Sequence, residues 1–274
     1  MRFIKFLNKI YIKIIYLYII ITNRNIVFTD MFSQKFFLTK QDNICLYMQR
    51  KSITDAINII NYIINNKKEF KVQIDFGCHM GAVSAAMWAT ASPSGVVYSV
   101  DADPYNITKC KTNLKLNGYH DKYVSHAAIA EYTGKIQLRI YDGINGWQTI
   151  FGNNDFNRTY KNHFISVPAI TFSDFIESNN ITQIDLVKID IEGMEYKLLA
   201  QMHSFFVLKI IKEVIFELNE LALEPAGKTP SELLALWEQY DYTLYHIEEN
   251  GDISKLLPGA IPKVLVCDIL AKAN

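Results

Sequence analysis

The stretch Asp75-Phe76-Gly77-Cys78-His79-Met80-Gly81 combines an acid, two glycines four residues apart and a Cys-His pair. It follows the β-rich run KVQIDFG and precedes AVSAAMWATA, a small-residue helix pattern. A glycine-rich turn between a strand and a helix lets backbone come close to a ligand. The spacing is GxxxG, looser than the GxGxxG that brings helix N–H groups onto a dinucleotide pyrophosphate. An aspartate before the turn suits a cationic amino group better than a phosphate. Cys78-His79 has no second Cys/His cluster at ligand spacing, so no metal site is expected there.

The other chemistry-bearing residues fall at the ends of further β-rich runs. GVVYSVDAD ends on Asp101, Ala102 and Asp103, twenty-four residues past Gly77 in the case of Asp101. A carboxylate there can accept hydrogen bonds from ribose hydroxyls. KYVSHAAIA ends near Ala128. IDLVKIDIEG carries Lys188, Asp190 and Glu192, with Glu195 just beyond, and KEVIFELNE carries Glu217. An amino group, a ribose and no phosphate together describe S-adenosylmethionine. Its activated methyl leaves the protein two tasks, alignment of an acceptor and removal of its proton. Asp190 is the expected base or acceptor-orienting group. Glu217 ends the neighbouring strand, and Lys188 either pairs with these acids or reaches the acceptor. The alternation of side chains along an extended strand lets only one of Asp190 and Glu192 face the site.

These residues need elements to hold them. Strand and helix patterns alternate from residue 70 onward, which specifies βαβ units and an α/β fold with a parallel sheet. The helix expected at SITDAINIINYIINN starts from Ser52 and buries a stripe of Ile53, Ile57, Ile60 and Ile64. PYNITKCKTNLKLNGY reads as a helix with Pro104 in its first turn and Asn117-Gly118 at its end. KIQLRIYD and HFISVPAI read as extra strands, MEYKLLAQMHSFF as one helix, and residues 143–162 as a long loop. Its Trp147, Phe151 and Tyr160 are candidate walls of an acceptor pocket. In open parallel sheets ligands sit beyond the carboxyl ends of the strands, where all the named acids lie.

LVKIDIEGMEYKLL, TFSDF, NLKLNGY and VIFELN follow the glycine loop in the chain and resemble the FkbM-type methyltransferase family over roughly residues 70–220. The resemblance implies a Rossmann-like methyltransferase fold, a mostly parallel seven-stranded sheet with helices on both faces, and S-adenosylmethionine as cofactor. It implies an O-methyltransferase acting on a hydroxyl of a small molecule or glycan. By the same resemblance Asp75, Gly77, Cys78, His79 and Gly81 hold the methionine end of the cofactor, Asp101 and Ala102 the ribose, and Ala128 the adenine side. The chain departs from the family pattern at His79, where Asn is common, and at Asp101-Ala102, where Glu-Pro is common. A dinucleotide-dependent oxidoreductase and a non-catalytic binding module are the competing readings. GxxxG counts against the first.

The chain has 274 residues, with 28 basic and 28 acidic side chains. That balance excludes a dedicated nucleic-acid binder, which carries a basic excess. Four cysteines without CxxC pairing indicate a reduced, cytoplasmic setting. Residues 1–48 form an apolar, basic segment and linker ahead of a methyltransferase domain at 49–274. Residues 1–22 carry Arg2, Lys5, Lys9 and Lys13 among isoleucines and tyrosines, a pattern that suits membrane-surface contact. The uninterrupted apolar run Ile14 to Ile21 is too short to cross a bilayer.

Overall fold

A computed structural model describes residues 14, 18–19, 21–22, 24–29, 33–39, 56–66, 69–141, 144–149, 161–191, 193–224, 227–257, 259–260, 262 and 266–274. Its centre is a set of strands that read as continuous apolar runs because both of their faces are covered. These are β3 (Phe70–Phe76) and β10 (Ile184–Ile189), the latter buried at every position. Around them the main sheet adds β4 (Ala91–Asp101), β5 (Val124–His126), β11 (Ile211–Asn219), β12 (Tyr242–Ile247), β13 (Ile253–Lys255) and β14 (Val266–Ala273). The strand order is β13-β12-β14-β11-β10-β3-β4-β5. Pairing is parallel from β11 to β5 and antiparallel from β11 to β13.

The sheet has eight strands among the described residues rather than the seven expected. The additional edge strand is β13, which folds back on β12 through a turn at Gly251, whose φ is +85°. Its tight packing against the backbone of Asn61 and Tyr62 excludes a larger residue.

Helices cover both faces. On one side α1 (Ile57–Asn66) and α2 (Ala82–Thr90) share a core with Leu186, Ile215 and Leu270. α1 buries Ile59, Ile60, Tyr62 and Ile63, so its inner stripe is rotated from the expected one. Ile53 and the proposed Ser52 cap lie outside the described residues. α3 (Pro104–Leu116) starts on an Asp103 cap whose side chain accepts Tyr105 N–H, with proline in the first turn. On the other face α4 (Phe172–Ser178), α5 (Glu195–Gln201), α6 (His203–Val207), α7 (Glu220–Leu223) and α8 (Pro230–Ala235) enclose an aromatic core. Phe76 meets Phe172 and Phe175 edge-on there, and Phe216 stacks on Trp237. The single helix expected at 194–206 breaks in two at Met202.

A second sheet explains two other departures from the sequence reading. The third strand pattern divides: β5 ends in the main sheet, and β6 (Ala128–Ile129) pairs with β9 (Asn162–Ile170). β7 (Gly134–Tyr141) pairs antiparallel with β9 and with β8 (Ile144–Thr149). The start of the expected long loop is therefore strand β8. Residues 150–160, with Phe151 and Tyr160, and the Trp147 side chain lie outside what is described. Near the chain start, β1 (Ile26–Thr29) and β2 (Lys35–Leu38) form an antiparallel pair. Ile14, Tyr18 and Ile21 are exposed and Ile19 is buried. No helix among the described residues is long and apolar enough to cross a membrane.

Candidate active site

The carboxyl ends of β3, β4, β10 and β11 bring the acids to one edge, but not all of them face it. Asp75 is fully buried. In register it lies between Ser99 of β4 and Lys188 of β10. Its Oδ2 accepts the Ser84 hydroxyl at 2.6 Å, and Ser99 in turn donates to Ser84 at 2.8 Å. Its Oδ1 lies 3.4 Å from Lys188 Nζ. Burial pushes the Asp75 carboxyl above the usual carboxylate range, with the Lys188 ammonium and the Ser84 hydroxyl pulling the other way. Asp75, expected to meet a cofactor amino group directly, instead lies buried against Ser84 and Lys188.

Lys188 is the hub of the site. Its Nζ donates to Gly77 O at 2.8 Å and lies 3.2 Å from Asp190 Oδ2 as well as beside Asp75. Burial opposes its charge, but Asp190 and Asp75 hold the ammonium above the ordinary lysine range. The ammonium thus donates to Gly77 O and lies at ion-pair distance from two carboxylates. Lys188 is a positioning residue, and the acceptor-reaching role considered for it is not available. Asp190 is different: its side chain is 37% exposed at the strand end.

The glycine loop is built by close approach. Gly77 has φ +76°, and a Cβ placed on it would sit 1.7 Å from the Asp190 carbonyl oxygen. β3 and β10 converge there, with Asp190 N–H donating to Phe76 O at 3.1 Å. Gly77 N–H and Cys78 N–H both donate to Val100 O, at 2.9 and 3.0 Å. The Cys78 side chain turns inward to pack with Ile107, Cys110 and Leu114, and burial pushes its thiol well above the usual range. Cys78 therefore anchors the loop from below. His79 adopts φ +48°, a left-handed conformation that histidine and asparagine tolerate better than most residues. Gly81, at φ +85°, faces Cys110 at a separation that leaves no space for a side chain.

Asp101 ends β4 half-exposed, oriented by three donors. His79 N–H reaches its Oδ2 at 2.8 Å, while Asp103 N–H at 2.8 Å and Asn106 Nδ2 at 3.2 Å reach its Oδ1. A carboxylate has about four lone-pair sites. One acceptor position remains on Oδ2, which suits one ribose hydroxyl outright and a second only by sharing. These acceptors suit the hydroxyls and positive charge of S-adenosylmethionine: Asp101 is a fixed, partly exposed carboxylate at the end of β4, and Asp190 is a second, partly exposed one at the end of β10. Ala102 O is 2.9 Å from His126 Nε2, and Ala128 is buried where β6 meets β9.

Glu217 is half-buried, with Asn219 Nδ2 donating to its Oε2 at 3.0 Å. The β10–β11 register, extended one step past the Ile189–Phe216 pair, puts it alongside Asp190. Across the sheet it faces Asp268 of β14. Glu195 is buried and accepts Ile191 N–H at 2.8 Å and Gly193 N–H at 2.9 Å, clamping the loop after Asp190. Burial pushes its carboxyl up to about 7, and the two N–H groups only partly offset this. Glu192 lies outside the described residues. Ser84, Ser99 and Asn106 are site-supporting residues that sequence reasoning missed. The one available signal was a lone serine in the otherwise alanine-rich AVSAAMWATA.

A mostly parallel sheet with a left-handed glycine turn after one strand and an oriented acid after the next is the Rossmann-like class of cofactor-binding domain. The family described as "Methyltransferase FkbM domain" matches residues 75–244, more than half of the chain, and the chain belongs to it. Its cofactor is S-adenosylmethionine. The fold is similar to the O-methyltransferase TomG from Streptomyces achromogenes, involved in tomaymycin synthesis and solved with S-adenosylmethionine. That match has 8% identity and TM-score 0.45, covering 85% of this chain and 87% of TomG. It is also similar to an O-methyltransferase from Bacillus cereus solved with the demethylated cofactor, at 10% identity and TM-score 0.44, covering 85% of this chain and 90% of the other. No curated protein matches the sequence.

Proposed function

We propose that this methyltransferase acts on oxygen, moving the methyl group to a hydroxyl of a small-molecule or glycan acceptor. The observation that carries this reading is the exposed Asp190 carboxylate, held by the buried Lys188 at 3.2 Å beside the glycine loop. When bound, S-adenosylmethionine supplies an electrophilic methyl on a positively charged sulfur. Asp190 orients the acceptor hydroxyl and takes its proton as the oxygen–methyl bond forms. Glu217 is the neighbouring carboxylate that shares this edge. Glu195 keeps the loop after Asp190 closed on itself, so the base is held at a fixed position.

A cleft of about 430 Å³ beside that loop, lined by Gly193, Tyr196, Lys197, Gln201, Lys228 and Glu131, offers space for a small acceptor. Lys197 pairs with Glu131 at 2.6 Å, and Lys228 lies over the Tyr196 ring at 4.2 Å.

The test is label transfer from tritiated S-adenosylmethionine into low-molecular-weight and glycan fractions of a cell extract, with mass spectrometry of the product. An alkali-stable methyl ether is expected. Asp190→Asn should lower the rate by a factor of about 10²–10⁴, the range for losing a general base, while binding of the demethylated cofactor persists. A methyl group found on nitrogen, or an Asp190→Asn enzyme of undiminished rate, would overturn the reading.

A further inference from the structure

We propose that residues 35–39 are a working part of the cofactor site, and that Asn113 is the positioning residue through which they act on the glycine loop. The inference rests on the family's cofactor and is independent of the acceptor.

One face of α3 presents Tyr105, Lys109, Asn113 and Asn117, spaced by four residues. Each of them grips the segment that contains β2. Tyr105 Oη is 3.2 Å from Thr39 Oγ1. Lys109 Nζ donates to Phe37 O at 3.2 Å and to Thr39 Oγ1 at 3.4 Å. Asn113 Oδ1 accepts Phe37 N–H at 2.8 Å. Asn117 accepts Lys35 N–H at 2.7 Å and donates to Lys35 O at 2.9 Å. The match has a simple cause. Four helical residues rise about 6 Å, and two strand residues span about 6.6 Å. Side chains at successive fourth positions can therefore follow the strand: Asn117 meets Lys35, Asn113 and Lys109 both meet Phe37, and Tyr105 meets the Thr39 side chain. β2 pairs with β1 on one edge, and its other edge, which would otherwise be an open template, is taken by these side chains.

Asn113 makes a second bond, to the glycine loop. It is fully buried, and its Nδ2 donates to Met80 O at 2.8 Å. Its amide orientation is set by the network, because Phe37 N–H requires the oxygen and Met80 O requires the nitrogen. Met80 stands between His79, whose N–H holds Asp101, and Gly81, whose N–H holds Cys78 O at 2.8 Å. A shift of Met80 moves His79 off the Asp101 carboxylate. The chain-start segment, Asn113, the glycine loop and the ribose acid thus form one connected hydrogen-bonded path.

Three variants of the full chain test this by calorimetric titration with S-adenosylhomocysteine, together with thermal melts. Asn113→Asp still accepts Phe37 N–H but has no donor for Met80 O. Phe37→Pro removes the N–H given to Asn113 and puts a ring carbon in its place, which pushes the Asn113 amide away from the segment; that N–H points to α3, not to β1. Asn117→Ala loosens the same segment one rung away from the loop. Asn113→Asp and Phe37→Pro are each expected to weaken binding about tenfold at a temperature where the protein is fully folded. Asn117→Ala should lower the melting temperature with affinity within about twofold of the parent. If Asn113→Asp or Phe37→Pro is folded and binds as tightly as the parent, the segment has only a structural role and the proposal falls; it falls too if Asn117→Ala weakens binding as much as Asn113→Asp, because the effect is then not routed through Asn113.

Discussion

Replacing Lys188 by Met is expected to destabilise the protein by about 3–5 kcal/mol, the cost of leaving a buried charge without its partner. Asp75 is the charge in question, with no exposed surface and only Ser84 left to oppose its burial. Removing the ammonium also strips Gly77 O of its donor and frees Asp190 from the strand end. Asp75→Asn in the same background removes the stranded charge and should recover a large part of the loss. The double variant therefore should be more stable than Lys188→Met alone, which is the signature of a directly coupled pair. Urea unfolding of the two single variants and the double variant measures the coupling. If the losses simply add, Asp75 and Lys188 do not depend on each other and Lys188 is not the hub.

The second large effect is at Gly77. Alanine there meets two penalties. The φ of +76° costs a side-chain-bearing residue about 1–2 kcal/mol. The added carbon also overlaps the Asp190 carbonyl oxygen, at 1.7 Å, so the ends of β3 and β10 must part. Because that junction carries both the loop and Asp190, binding of S-adenosylhomocysteine should become undetectable at high micromolar ligand. Gly118→Ala provides the contrast. Gly118 has φ +79°, but an added carbon there meets nothing within 4 Å. It should show the conformational penalty and normal cofactor affinity. Calorimetry and thermal melts on both variants separate steric exclusion from backbone strain.

The alternation of strand and helix patterns made the α/β architecture legible, and strand-end positions made the acids legible as a group. Orientation was not legible, for a physical reason. β3 and β10 are buried on both faces, so no polar-apolar alternation reveals which way Asp75 or Lys188 points. Only the register, Ser99 beside Asp75 beside Lys188, shows that two of the proposed contact residues form a buried support for the exposed one. The rotation of the α1 stripe has a similar origin, because isoleucine recurs around the whole of INIINYIINN. The departure at His79 resolves once its φ of +48° is known: the position selects residues that tolerate left-handed backbone, and its contact with Asp101 comes from the main chain. Asn113 was hidden because its two partners are 76 and 33 residues away in sequence.

The central claim is that the edge formed by the glycine loop, Asp101 and Asp190 holds the cofactor. It is tested most directly by titrating S-adenosylhomocysteine into the parent protein and into Asp101→Asn under identical conditions. Asparagine keeps the size of the side chain but loses the charge and one set of acceptor positions. The parent should bind in the micromolar range and Asp101→Asn at least tenfold more weakly, with both proteins folded. Equal affinities for the two would contradict the placement of the cofactor at this edge.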